Sequence, residues 1–233
     1  KKHLRRLVYF SSVLLLPRCA NYHYREGNRL YEHMAYHEAI TEYQRALGKK
    51  DIPDAHAKVA DSYLKTNNVD GAMEEYGKVV QQADAQPAHY LTYARLLMRK
   101  QRYEEAKQWF DKYLEKMPGD SSARALALAA ADPMAFKKDS LAYLVDPAPV
   151  NTGESNFSPV VLSDRIIFTT DRGSTSWRKT ASWTGRPYLN LYQAKIDSTG
   201  KWSTPEALSG DVNGKYHDGP AAITSDGKTL YFT

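Results

Sequence analysis

Small, apolar and aromatic positions recur in the first half of this chain at a period of 33 to 34 residues. An alanine is followed four residues later by an aromatic ring at Ala39 and Tyr43, Ala72 and Tyr76, and Ala106 and Phe110. Nine residues before each alanine stands Leu30, Tyr63 or Leu97, and twelve before it stands Gly27, Ala60 or Ala94. Spacings of three and four put apolar residues on one helical face, so each unit predicts two helices joined by a short turn. Pro53 and Pro87 open the second and third units, and Pro118 closes the third. Small residues at the recurring alanine sites let two helix axes approach closely. One helical pair cannot bury its own apolar stripe, so the units must stack. The last unit needs a cover, and Asp120 to Ala131, with a capping signal and strong helix formers, supplies a helix for it. A short amphipathic piece from Met134 to Leu144 is expected to close the stack.

Beyond Asp132-Pro133 the period changes. Residues 132–155 read as a linker, with Pro, Ala and Gly concentrated between Asp146 and Gly153. Strand-like alternation follows at Asn156–Val161 and Ser163–Thr169. A related pair stands at Asp218–Ile223 and Ser225–Thr233, 61 to 64 residues later. Asp226-Gly227 predicts a hairpin turn. Between the two pairs lie a further strand, Pro187 to Ala194, then Gly200-Lys201-Trp202 and Pro205 to Leu208.

Charge and cysteine content narrow the function. The sequence pI is about 9.0. Residues 1–19 carry five basic residues and no acid, residues 20–119 carry 15 of each sign, and residues 120–233 carry 12 of each. The excess is confined to one end, so the body has no electrostatic footprint for a polyanion, and nucleic acid is not expected as a partner. One cysteine in 233 residues leaves no disulfide framework and no cysteine-based zinc cluster. The basic start Lys1 to Arg6 precedes an apolar stretch, Leu7 to Leu16, too short to span a bilayer as a helix. That order reads as a secretory signal over residues 1–18.

The helical period resembles the tetratricopeptide repeat, over about 100 residues placed at 19–131 as three repeats plus a capping helix. The resemblance implies a concave groove lined by the first helix of each repeat. Its positions here are Tyr24, Asn28 and Tyr31, then Asp61, Leu64 and Lys65, then Leu91, Arg95, Met98 and Arg99. Chaperone-binding members clamp a terminal carboxylate with Lys, Asn and Arg. Only Asn28 fits that clamp, while Tyr24, Lys58, Ala88 and Thr92 depart from it, so chaperone-tail binding is not expected. The strand order at 156–233 looks like the start of a WD40-like (PD40) β-propeller, one blade at 156–217 and a second just beginning. The fold class expected is therefore α + β multidomain: an all-α solenoid, then the first propeller blades. A single blade leaves both sheet faces bare, so the sequence reads as the N-terminal part of a longer protein. The start of the chain resembles a bacterial lipoprotein signal with Cys19 as the acylated residue, although Arg18 stands where such signals place a small residue. A plain signal peptide cleaved elsewhere is the other reading. The neutral Ala20 to His23 after the cysteine favours retention on the periplasmic face.

Little in the residues points to catalysis. Gly227-Lys228-Thr229 lacks the upstream glycine of a phosphate loop, since Ala222 occupies that place. His33 and His37 have helical ligand spacing, but Met34 stands where a zinc-protease motif has glutamate. No catalytic residue, metal site or cofactor is expected. Residues 171–187 stand out as an interaction loop, with Arg172, Trp177, Arg178, Lys179, Trp183 and Arg186 against one acid, Asp171. Signal, solenoid, linker and blades together resemble a family of Bacteroidetes envelope lipoproteins that continue into an OmpA-like peptidoglycan-binding domain. The resemblance implies a non-enzymatic scaffold in the type IX secretion machinery. It would be held at the outer membrane by a lipid and would bind envelope proteins, with peptidoglycan bound by a region beyond Thr233. Two other readings stay open: a propeller-containing periplasmic peptidase with its catalytic domain downstream, and a soluble repeat adaptor.

Overall fold

The computed structural model describes residues 19–137, 142–173 and 180–233. The expected signal at 1–18 lies outside them. They form two compact units, one of the described residues up to 144 with Ser182–Thr184, the other of the remaining described residues from 145 onward. No helix among the described residues is long and apolar enough to cross a membrane.

Among the described residues the first unit is a solenoid of seven α-helices. They are α1 (19–32), α2 (Tyr36–Leu47), α3 (Pro53–Lys65), α4 (Val69–Val79), α5 (Pro87–Arg99), α6 (Tyr103–Lys116) and α7 (Ser121–Ala131). Pro53 and Pro87 sit in the first turns of α3 and α5, where no backbone N–H is needed. Asn68 caps α4 by accepting from Gly71 N at 3.0 Å, and Asp120 caps α7 by accepting from Ala123 N at 2.9 Å.

Each helix pair turns in the same way. Met34, Asn67 and Gln101 all have φ of 58°, and the next residue's N–H reaches back to Leu30, Tyr63 or Leu97 O at 2.8–2.9 Å. This left-handed residue repeats with the 33–34 period and reverses the chain within three residues.

The recurring alanines Ala39, Ala72 and Ala106 are fully buried, as are Tyr43 and Phe110. At Gly27 an added Cβ would lie 2.6 Å from Tyr43 Cδ1, so α1 lies directly against that ring and only glycine fits. The core runs along the stack in three linked groups. Tyr43 and Val59 centre the first, Tyr76 and Leu96 the second, and Leu97 and Phe110 the third, which Ala127 and Ala130 of α7 cover. The expected closure by Met134 to Leu144 does not form among the described residues. Only a short 3-10 turn, Pro133–Phe136, is present, and Met134, Phe136, Tyr143 and Leu144 are exposed. Asp132 accepts from Ala135 N at 3.2 Å, which, with Pro133, caps this short turn instead of extending α7.

The second unit begins with a four-stranded antiparallel meander in the order β1 (Asn156–Val161), β2 (Arg165–Thr170), β3 (Asn190–Lys195) and β4 (Glu206–Ala207). Ile166, Phe168, Tyr192 and Ala194 share one buried face with Val150. A separate hairpin, β5 (Ala221–Ile223) and β6 (Leu230–Phe232), repeats the β1–β2 pairing. Val161 faces Ile166 in the first, and Ile223 faces Leu230 in the second. The second turn is two residues longer, which is why the repeat spacing grows from 62 to 64 along the hairpin. Gly219, at φ 102°, approaches β2 so closely that a Cβ would lie 2.5 Å from Thr169 Oγ1. The described strands form one sheet and one hairpin, with no closed ring of blades among them.

Candidate functional site

The site is built from the first helices of successive repeats. Tyr24 of α1 donates its hydroxyl to Asp54 of α3, and Tyr31 of α1 donates to Asp61 of α3. Lys58 holds its ammonium 4.5 Å above the Tyr31 ring. Burial, then the Asp61 carboxylate, push the Tyr31 phenol far above its ordinary range. Tyr24 shifts the same way, by burial and then by Asp54. Between α1 and α3 the groove positions are therefore spent on one another. Asn28 is also tied down, accepting from Tyr43 OH at 2.7 Å inside the first repeat.

One repeat later the same positions carry different chemistry. Where Tyr24 meets Asp54, the period places Ala57 beside Ala88; where Tyr31 meets Asp61, it places Leu64 beside Arg95. The next step gives Leu91 beside Ser122 and Met98 beside Ala129. Leu64, Leu91 and Met98 are half-buried on the second and third core groups. Arg95, Arg99 and Lys65 are exposed. Arg99 donates to Asn67 Oδ1 at 3.1 Å. Arg95 makes no hydrogen bond or ion pair among the described residues. It acts on the nearby Tyr113 and Asp120 only through its field.

The sequence reading missed one feature of the repeats. His23 meets Glu42 at 2.7 Å, and His56 meets Glu75 at 2.8 Å, both linking the first helix of a repeat to its second. The pairs are 33 residues apart, and the third repeat substitutes the tilted rings of Tyr90 and Trp109, with centroids 5.7 Å apart. Aligning the repeats by position rather than by hydrophobicity would have exposed them.

The interaction loop behaves differently. Trp177, Arg178 and Lys179 lie outside the described residues. Arg172 is turned inward, donating to Val150 O at 2.9 Å and Thr152 Oγ1 at 2.7 Å. Arg186 pairs with buried Asp171, which also accepts from Ser155 N at 2.8 Å. Arg172 thus ties the chain leaving β2 to the chain entering β1, and Arg186, ahead of β3, ties to both through Asp171 and Gly153 O. Trp183 groups with the helical unit and is 43% exposed. His33 lies in the turn after α1, so it does not share a helix face with His37. No group of three metal-ligating side chains forms among the described residues.

Two models of the tetratricopeptide repeat family match the chain, over residues 24–87 and 69–131. Residues 24–131 are tetratricopeptide repeats. The repeats are similar to three solved domains. The first repeat domain of Spaghetti (RPAP3), solved with the HSP90 peptide SRMEEVD, is 20% identical, covering 51% of this chain and 95% of that one at a TM-score of 0.44. The Arabidopsis OM64 repeat domain is 17% identical, over 51% and 98%, at 0.43. The first repeat domain of human RPAP3 is 22% identical, over 53% and 98%, at 0.42. No curated protein matches the chain. Tetratricopeptide repeats imply a scaffold for protein–protein interaction.

Proposed function

We propose that the chain is a non-enzymatic scaffold of the cell envelope. In this reading it is lipid-anchored at Cys19 to the periplasmic face of the outer membrane and binds protein partners in the repeat groove. The observation that carries the binding role is the change along the groove: Tyr–Asp bridges fill the α1–α3 end, while the α3–α5–α7 end keeps an apolar floor and an unbridged arginine. A photo-crosslinking residue at Leu91, compared with one at exposed Gln108 on the second helix, tests it. The groove position should trap a defined partner in native membranes and the other position should not; equal trapping overturns the groove.

The tether is supported by the basic, apolar start of the sequence and by the exposure of Cys19 at the first described turn of α1. In finer detail, the order of segments resembles that of the type IX secretion peptidoglycan-associated lipoprotein PorE. In that reading 156–233 begins a PD40 propeller, the machinery supplies the partners, and a later region grips peptidoglycan. The β1–β4 meander and the repeated hairpin β5–β6 support the propeller reading. Intact mass of the protein from native membranes, with and without globomycin, tests the tether. A chain starting at Cys19 with acyl mass is the expected result, and an unacylated chain overturns the tether.

A further inference from the structure

The solenoid ends on a face that its own repeats cover everywhere else. In each repeat the first helix carries one face beneath the second helix. Gly27 of α1 lies under the Tyr43 ring of α2, and Tyr63 of α3 lies against Gly71 of α4. Ala94 and Leu97 of α5 are fully buried with Ala106 and Phe110 of α6. Counted by the repeat period, the position of Gly27, Ala60 and Ala94 is Leu128 in α7, and that of Leu30, Tyr63 and Leu97 is Ala131. There the face is bare: Leu128 is 67% exposed, and Ala131 is exposed beside it. The Asp132–Pro133 break starts a short turn instead of a second helix, and it leaves Met134 and Phe136 exposed as well. The terminal element of a repeat stack ordinarily turns a polar face outward.

We propose that α7 is the first half of a helix pair whose second half is an amphipathic helix of a partner protein, reading bulky–x–x–acid–small. The interface inside the repeats continues onto α7 and fixes that order. The early position of a first helix meets the late end of its second helix, as Gly27 meets Tyr43. The late position meets the early end, as Tyr63 meets Gly71. In both contacts a glycine takes a ring, so small is set against large. In α7 the order is inverted, with large Leu128 early and small Ala131 late. Its complement is inverted with it: a bulky residue early, over Ala131, and a small one late, over Leu128. The acid follows from a third position. His23 meets Glu42 and His56 meets Glu75, and each glutamate directly precedes the late aromatic residue of its second helix. The period places Arg124 where those histidines stand. Arg124 is exposed and donates from Nη2 to Pro118 O at 2.6 Å, which leaves most of its planar fork for a carboxylate. The apolar contact supplies affinity, and the ion pair fixes the direction of the incoming helix. This face is separate from the groove, so the two stand or fall independently.

The test titrates the full chain with a labelled, end-capped peptide by fluorescence anisotropy. The probe is the sequence of residues 103–116, the second helix of the last repeat, carrying Ala106→Phe, Trp109→Glu and Phe110→Ala. One comparator carries Trp109→Glu alone and so keeps the small residue ahead of the bulky one. The other carries Ala106→Phe, Trp109→Gln and Phe110→Ala. The probe should bind saturably and about tenfold more tightly than either comparator. Leu128→Gln in the chain should weaken the probe by about tenfold, the loss of one buried leucine contact, with unchanged helical circular dichroism. Arg124→Gln should erase the preference for the glutamate probe over the glutamine one. Lys50→Glu, an exposed charge reversal in the turn after α2, should leave both effects intact. No binding of the probe, binding unaffected by Leu128→Gln, or equal binding of the order-exchanged comparator overturns the proposal. A glutamate preference that survives Arg124→Gln overturns it too. If sedimentation instead shows the chain self-associating through Leu128 while the probe does not bind, a second copy covers the face and the partner helix is overturned.

Discussion

At the scale of single residues, two backbone positions decide how tightly the repeats fold. Gly27 lies under the Tyr43 ring, where an added methyl would sit 2.6 Å from Cδ1 of a fully buried side chain. Gly27→Ala should cost about 1–3 kcal/mol by overpacking, read as a lower denaturant midpoint with unchanged slope. The three left-handed turn residues give an internal series. Met34 is 55% exposed at φ 58°, so its side chain contributes little packing while its backbone is strained. Met34→Gly should stabilise the chain by about 1 kcal/mol, and Asn67→Gly by distinctly less, because asparagine tolerates this region. Equal gains at both positions would show that the turn geometry is not what limits stability there. The glycine at 27 was legible as one member of a small-residue series. The strain at Met34 was not, because nothing in its side chain announces a positive φ.

At the scale of elements, α7 is the test of how the stack ends. Its N-terminus rests on Asp120, which accepts from Ala123 N at 2.9 Å and from Tyr113 OH at 2.8 Å. Those bonds, the backbone bond to Ala123 first, hold its carboxyl below the usual aspartate range. A depressed folded-state value means the stabilisation is fully present above the unfolded value. It is then lost as pH falls through the folded one. Acidification below the ordinary aspartate range should therefore loosen α7 and uncover Phe110, read by helical ellipticity. Asp120→Asn, which keeps a capping oxygen without titrating, should flatten that acid limb. The element itself was legible in the sequence from its capping residue and its run of Ala and Leu. The segment after it was not, because the amphipathic spacing of Met134 to Leu144 ignores the Asp132–Pro133 break, where the side chain of Asp132 starts a new turn.

At the scale of the whole molecule, charge placement separates the termini from the body. Removing residues 1–18 leaves 27 basic and 27 acidic residues. The chain beginning at Cys19 should therefore elute from heparin near physiological salt, whereas the full chain should be retained. Screening over about 8 Å at that ionic strength leaves mixed surface charges little reach. Retention of the shortened chain would mean that the groove arginines form a polyanion site after all.

The sequence by itself determined the repeat count, the small residues at helix contacts, the capping of α7 and the change to strands. These features are written in local spacing, and local spacing fixes which face of an element is apolar. Only the tertiary structure decided which groove residues are available. Tyr24, Tyr31 and Asn28 carry the same repeat positions as Leu91, Met98 and Arg95, yet they are bonded to Asp54, Asp61 and Tyr43. Likewise Arg172 and Arg186 looked free, and they hold the second unit together at Val150 and Asp171. A polar side chain's availability depends on partners 15 to 30 residues away. Helical and strand periods record only the residue's own face.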